Sequence, residues 1–378
     1  MKKTLLLTID FPPQKGGVAN YWKNLAEQMP SDKFFVLAQA QAKDQYFDQK
    51  QNYKIFRRNL ISSKKWFWPK WLPALFHLYK VVKKQNIKQV IVAQVLPMGT
   101  VAFIIKKIFK ISYIVSVHGQ DVAYATRKKS KKLLSGLIFK NAYYLMVNSQ
   151  YTKNLVQESG FKIKKHLVVY PCPNVKNEKV TDPELEKFKS DNGLLNKKII
   201  LTVGRLVKRK GHDQVVKSLN LLKSKLNDFV YLIVGEGPEL EKLKALVVEL
   251  DLEKQVKFFQ NIEDTDLPLF YWTAEVFVMP SRKLDSGDVE GFGIVYLEAN
   301  LFGLPVIAGK SGGAVEAVEN NVNGLVVDPL NGQEIYQALF KLLTDDSRAE
   351  ELGEKGKFRA EQLFSWSKQA KKLKLILK

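Results

Sequence analysis

The sequence predicts an α/β protein built from two doubly wound parallel-sheet domains. Three observations carry that expectation. Short β-rich runs such as TLLLTI (4–9) and KIILTVG (198–204) are largely apolar rather than alternating, the pattern of strands buried on both faces. Helical patterns separate such runs along the whole chain. The rhythm breaks once, over residues 168–188, and then resumes, and 378 residues are more than one ordinary core accommodates.

In the first half, strands are expected at 4–9, 34–38 (FFVLA), 89–94 (QVIVAQ), 112–118 (SYIVSVH) and 142–148 (AYYLMVN). The longest apolar stretch, 90–105, contains Gln94, Pro97 and Gly99. It is too short and too interrupted to span a bilayer, and reads as strand, turn and helix. The proline-rich and then charged segment around 168–188 has the composition of a linker. The second half repeats the architecture without repeating the sequence, with strands expected at 198–204, 230–235, 255–259, 275–281, 304–309 and 324–329. The final segment, 365–378, is amphipathic and helical. This organisation gives a first domain over 1–172, a linker over 173–195 and a second domain over 196–362. Sheets of this kind bind ligands beyond the carboxyl ends of their strands, so a cleft facing both sets of strand ends is the expected site.

Composition narrows the class. At 46% hydrophobic and 26% charged residues the chain is a folded globular protein rather than a disordered one. Its single cysteine, Cys172, excludes an intrachain disulfide and a cysteine zinc site, and fits a reducing cytoplasm. MKKTLLLTID begins with basic residues, but Asp10 ends the apolar run too early for an export signal. The net charge of +22 is lopsided: residues 1–150 hold 26 Lys/Arg against 6 Asp/Glu, whereas 151–378 hold 34 against 32. A field confined to one half suits an anionic partner docking there, and both nucleic acid and anionic lipid qualify.

Several strand ends lead into glycine turns. Gly16 and Gly17 open a helix after the first strand, where bare N–H groups meet the positive helix end; a tight turn that needs glycine on steric grounds is the alternative. In VGRLVKRKGHD (203–213), Arg205 sits at a strand end and Lys210 precedes a helix, two cations suited to a diphosphate; Lys208 and Arg209 read as a solvated basic loop. Gly235 belongs to a second strand–turn–helix, VGEGPELEKL, as compatible with structure as with a ligand. His118 ends a strand with Gly119 and Asp121 close by, and is either a structural histidine or a group at the cleft edge. The DTD at 264–266 is better explained by Asp264 or Thr265 capping a helix than by a metal.

EGFGIVYLEA (290–299) ties these together. On an unbroken helix Glu290 and Glu298 would lie roughly 12 Å apart along the axis, too far for a paired acid and base. Gly291 and Gly293 instead mark a turn, with a helix from about Ile294 that carries Glu298 one turn in. The N–H groups of Phe292 and Gly293 then suit a phosphate, Glu290 a sugar and Glu298 a ribose diol: the outline of a nucleotide sugar. A capped helix with an incidental acid is the plainer alternative.

GGVANYWKNLA, HGQD, GRLVKRKG, VGEGPE and EGFGIVYLEA together make the chain resemble glycosyltransferase family 4, the retaining GT-B enzymes, over nearly its whole length. The resemblance implies two Rossmann-like domains, the first on the acceptor side and the second binding the donor, with the final helix, 363–378, crossing back onto the first. It implies that Arg205 and Lys210 hold the diphosphate and stabilise it as it leaves, that Glu290 touches the donor sugar and Glu298 the ribose, and that Gly16, Gly17, Gly235, Gly291, Phe292, Gly293 and Ile294 line the donor. His118 would stand beside the reacting carbon and Asp121 on the acceptor side. Such enzymes need no metal or other cofactor, and transfer keeps the anomeric configuration by same-face attack assisted by the departing phosphate.

Within the family, residues 288–318 look most like the bacterial phosphatidylinositol mannosyltransferases, which use GDP-mannose; Gln260 stands where a glycine is common. A lipid acceptor agrees with the charge count and with KKWFWPKWLPALFHLYKVVKKQ (64–85), whose Trp66, Phe67, Trp68 and Trp71 lie among lysines, an interfacial composition. The expectation is a cytoplasmic enzyme held peripherally on the inner face of the cell membrane. The alternatives are a UDP-sugar transferase acting on a polysaccharide or soluble acceptor and, from another class, a non-catalytic nucleic-acid-binding protein.

Overall fold

The computed structural model describes residues 1–14 and 16–378. The chain forms two compact units, Met1–Pro171 with Trp366–Lys378, and Cys172–Ser365. The first unit runs β1 (Thr4–Thr8), α1 (Gly17–Glu27), β2 (Phe34–Gln39), α2 (Asp44–Asp48), β3 (Lys54–Arg58), α3 (Leu72–Gln85), β4 (Gln89–Val92), α4 (Met98–Phe109), β5 (Ser112–Val117), α5 (Gln120–Thr126), α6 (Lys129–Asn141), β6 (Tyr144–Val147), α7 (Gln150–Glu158) and β7 (His166–Val168). The second runs α8 (Asp182–Asp191), β8 (Lys198–Val203), α9 (His212–Lys223), β9 (Phe229–Val234), α10 (Leu240–Glu249), β10 (Val256–Phe259), α11 (Leu267–Thr273), β11 (Val276–Met279), α12 (Ile294–Leu301), β12 (Val306–Gly309), α13 (Ala314–Ala317), β13 (Gly324–Val327), α14 (Gly332–Thr344) and α15 (Asp346–Leu363). The last helix, α16 (Trp366–Ile376), belongs to the first unit.

Both sheets are parallel and doubly wound. The strand orders are β3-β2-β1-β4-β5-β6-β7 and β10-β9-β8-β11-β12-β13, so the winding reverses between β1 and β4 and again between β8 and β11. The solid apolar strands follow from burial on two faces. Leu5 and Leu7 enter a core cluster with Leu78 of α3 and Val101 of α4. Leu6, on the opposite face of β1, packs in a cluster with Trp22 and Leu25 of α1 and Leu373 of α16. In the second unit Ile200, Tyr231 and Ile307 share a core with Val215 and Leu219 of α9 and Leu339 of α14. Among the described residues no helix is long and apolar enough to cross a membrane.

Two strands go beyond the sequence expectation, β3 and β7, and both are sheet edges. Residues 173–195, expected as a linker, lie with the second unit and contain α8. That helix is started by a capping box between Thr181 and Glu184, and its Phe188 meets Phe270 of α11 edge-on at 5.0 Å. In the DTD segment the residue at the helix N-cap is Asp266, not Asp264 or Thr265, and its side chain makes no capping bond.

Candidate functional site

In the second unit the loops after β8 and β11 emerge on either side of the reversal in strand order, the position at which doubly wound sheets present loops to ligands. After β8 the chain passes Arg205, makes a 3-10 turn over Lys208–Lys210 and enters α9 through Gly211. After β11 it reaches Glu290 and turns into α12 at Gly293.

These two loops meet in an ion cluster. Glu290 Oε2 lies 2.7 Å from Lys210 Nζ and 2.6 Å from Arg209 Nη1, and Arg209 Nε lies 3.4 Å from Asp288 Oδ2. Burial by itself pushes the Glu290 carboxyl up, but Lys210 and Arg209 outweigh it and hold the group at about 2. Two cations therefore face two carboxylates, and Lys210, with three N–H donors, keeps donors beyond the one Glu290 takes. Arg209, read from the sequence as a solvated loop cation, is instead mostly buried in this cluster. Its neighbour Lys208 is exposed. Arg205 is exposed as well, and among the described residues its side chain has no ion pair or hydrogen bond.

Backbone packing fixes both loops. A Cβ on Gly235 would come 2.1 Å from the Gly204 carbonyl oxygen, so glycine there lets the VGEG turn press against the strand end that carries Arg205. Gly313 does the same for the other loop: its N–H donates to the Glu290 carbonyl at 2.8 Å, and a Cβ would lie 2.1 Å from the Gly291 oxygen. Phe292 buries its ring against Phe364, centroids 5.6 Å apart. Gly293, at φ 90, is the N-cap of α12, whose first turn has no side-chain cap.

Glu298 sits on α12, buried, and its carboxylate is held separately from Glu290. Oε1 accepts from the Asn174 N–H at 3.0 Å and Oε2 from the Tyr271 hydroxyl at 3.3 Å. Burial raises its pKa, against hydrogen bonds from Asn174, Tyr271 and Val175 that lower it. Asn174 and Tyr271 carried no sequence signal, because they lie far from Glu298 along the chain. Gln260 is exposed just past β10.

The first unit has its own set. Gly16 is the N-cap of α1 and Gly17 its first residue, with no side-chain cap. Among the described residues a Cβ on either would meet nothing within 4 Å, so packing does not require glycine here. His118 follows β5; its Nε2 lies 3.0 Å from the Ser116 hydroxyl and its ring meets Tyr21 edge-on at 5.0 Å. Burial lowers the imidazole to about 4, so it is neutral at physiological pH. Asp121 accepts from the His118 N–H at 2.9 Å, and burial raises its carboxyl to about 6 against that bond and one from the Val95 N–H. It also lines a cavity of about 350 Å³ with Ile9, Leu96, Gln120 and Tyr124.

His212, the first residue of α9, gives the ion cluster a pH signature. Burial, aided by Lys210, lowers it to about 3, and among the described residues its buried Nε2 has no hydrogen-bond partner. The folded state thus takes up this proton far below the ordinary 6.5, so its contribution to stability is complete above pH 6.5 and is lost as pH falls towards 3. Glu290 acts in the same direction between 4.5 and about 2, whereas Glu298 and Glu275, both raised, act in the opposite one. We expect His212→Gln to flatten the fall in melting temperature between pH 6.5 and 4; an unchanged slope would contradict this assignment.

Comparison with known proteins identifies the arrangement. Residues 15–175 match the family model "Glycosyltransferase Family 4", and residues 184–359 match "Glycosyl transferases group 1". A GDP-mannose-dependent alpha-(1-6)-phosphatidylinositol monomannoside mannosyltransferase of Mycolicibacterium smegmatis is 30% identical over 99% of this chain and 97% of its own. The monoacylated-acceptor counterpart of Corynebacterium glutamicum is also 30% identical, over 100% of this chain and 98% of its own. Among solved structures, Anabaena Alr3699/HepE in complex with UDP superposes with a TM-score of 0.83 at 20% identity, covering 99% of each chain. Sucrose-phosphate synthase from Thermosynechococcus elongatus gives 0.80 at 21% identity, over 100% and 98%. The structural likenesses establish the GT-B fold, and with whole-length relatives at 30% identity the chain belongs to glycosyltransferase family 4 and is a glycosyltransferase.

Proposed function

We propose that this enzyme transfers mannose, with retention, from GDP-mannose to a phosphatidylinositol-type glycolipid at the inner face of the cell membrane. The observation that carries the reading is the whole-length match to two bacterial enzymes named for that donor and that acceptor class. The charge distribution agrees, since the acceptor-side half holds 26 Lys/Arg against 6 Asp/Glu.

The residues take the following parts. In the second unit the start of α12 at Gly291, Phe292, Gly293 and Ile294 takes the diphosphate, and in the first unit the N-terminus of α1 at Gly16 and Gly17 is kept for the donor. Arg205 and Lys210 neutralise the charge that builds on the leaving phosphate, a task a metal performs elsewhere. Arg209 secures Glu290, which receives the hydroxyls of the donor sugar, while Glu298 takes the ribose. Neutral His118, steadied by Asp121, stands beside the reacting carbon as a hydrogen-bonding group rather than a cation. The attacking hydroxyl approaches from the face the phosphate leaves and gives it its proton. Gly235 serves the same chemistry through the backbone it allows behind Arg205.

A second reading is favoured by one observation, the UDP and UDP-glucose complexes of the Anabaena neighbour: a UDP-sugar donor with a polysaccharide or soluble acceptor. Donor hydrolysis with GDP-mannose, UDP-glucose and UDP-N-acetylglucosamine separates the two. We expect GDP-mannose to be turned over at least tenfold faster than either UDP-sugar; turnover of a UDP-sugar alone would end the mannose reading.

A further inference from the structure

We propose that the outer face of the α3–α4 pair docks on an anionic phospholipid leaflet, with acyl-chain hydrocarbon filling the groove between the two helices. This rests on the membrane-acceptor reading above and locates where the chain meets the lipid.

Helix α3 carries two apolar stripes where a solvated surface helix carries one. Ala74, Leu78, Val81 and Val82 face the core. Leu72, Phe76 and Tyr79 form the second stripe, which this fold leaves uncovered. Together with Ile105, Ile108 and Phe109 of α4 they line a groove of about 490 Å³ without a charged residue. Tyr79 stacks on Phe109 at 5.1 Å, while Phe76 and Ile108 stay 53% and 61% exposed. Ahead of α3, Trp66 and Trp68 are 78% and 86% exposed, and Lys64 Nζ lies 5.3 Å from the Trp66 ring. Such a patch is more than scattered surface hydrophobicity.

Charge selects the occupant. Residues 49–120 contain 14 Lys/Arg and no Asp or Glu. Lysines lie along the lip of the groove: Lys80 Nζ is 4.1 Å from the Phe76 ring centroid, and Lys83 Nζ is 5.4 Å from that of Tyr79 and 6.0 Å from that of Phe109. Their stems extend the apolar surface and their ammonium groups rest at its edge, the arrangement that places hydrocarbon below and phosphate at the level of the charge. A second copy of this chain would set the same lysines against each other across a two-fold contact. A nucleic acid would neutralise the lysines but leave the groove empty.

The test uses the full chain and vesicles of phosphatidylcholine with or without 30% phosphatidylglycerol, with neither sugar donor nor acceptor present. Phe76→Glu combined with Ile108→Glu is expected to weaken partition onto the anionic vesicles at least tenfold while leaving hydrolysis of soluble donor unchanged. Ile108→Cys, carrying an environment-sensitive dye, gives a direct reading, because the native Cys172 is buried. Its emission should shift to the blue with anionic vesicles only, and be quenched by nitroxide in mid-chain rather than at the headgroup. Parent-like partition by the double variant, or a dye that stays in water, overturns the proposal. So does a dimer of the parent that the double variant abolishes without vesicles, since a second copy would then cover the face. Failure to use GDP-mannose with vesicle binding intact would instead count against the donor reading alone.

Discussion

Lys210→Ala is expected to lower kcat by about 10²–10³-fold, with a smaller change in nucleotide affinity. Charge accumulates on the leaving phosphate only as the sugar–oxygen bond breaks, so a cation aimed at it acts on the transition state more than on the bound donor. The fold should survive, because Glu290 keeps Arg209 at 2.6 Å and is not left as an unpaired buried charge. Arg205→Ala is the natural companion: its side chain has no partner among the described residues, so turnover should fall while the melting temperature stays put. Steady-state kinetics on both variants decide the matter, and near-normal turnover by Lys210→Ala would refute the leaving-group role.

Glu290→Ala is expected to act on stability and on chemistry at once. Removing the carboxylate leaves Arg209 and Lys210, both largely buried, without their shared counter-charge. Breaking a buried pair from one side costs about 3 kcal/mol, or roughly 6–12 °C in melting temperature for a unit of this size. Turnover should drop by at least two orders of magnitude, since the sugar loses its acceptor group. GDP itself should bind at least as well as to the parent, because Lys210 is freed and Arg209 keeps only the longer contact to Asp288 at 3.4 Å. Calorimetric titration with GDP beside a thermal melt separates these effects. A variant that melts with the parent would show that Glu290 does not neutralise the cluster.

The central strands were legible because each is enclosed on both faces, which makes their sequences apolar without interruption. The two edge strands of the first sheet were not. β3 reads KIFRR, with charge at both ends and no fully buried residue, and β7 is three residues long. Glu290 and Lys210 stood out in the sequence as charged residues beside glycine turns that open helices, and the structure brings the two together at 2.7 Å. Arg209 did not stand out, because it stands in a lysine-rich loop and its carboxylate partner is 81 residues away. The same holds for Gly312 and Gly313, which look like an ordinary turn until the Glu290 backbone is seen against them. Asn174 and Tyr271 bind Glu298 across separations of 124 and 27 residues, and no local pattern marks them.

The first unit is discontinuous in the chain, and this bears on how the protein is made. α16 contributes Ala370 and Leu373, and Leu377 just after it joins them, in the cluster around Trp22, and Gln369 accepts from the Tyr170 N–H at 3.1 Å. A ribosome that has delivered residues 1–171 has therefore delivered an incomplete hydrophobic layer, with the part of it beside Trp22 that the final helix covers still open. The second unit is contiguous, so it can close while the earlier-synthesised half still waits for its last helix. The unit whose synthesis begins first is thus the one whose hydrophobic layer needs residues made after the other unit is complete in sequence.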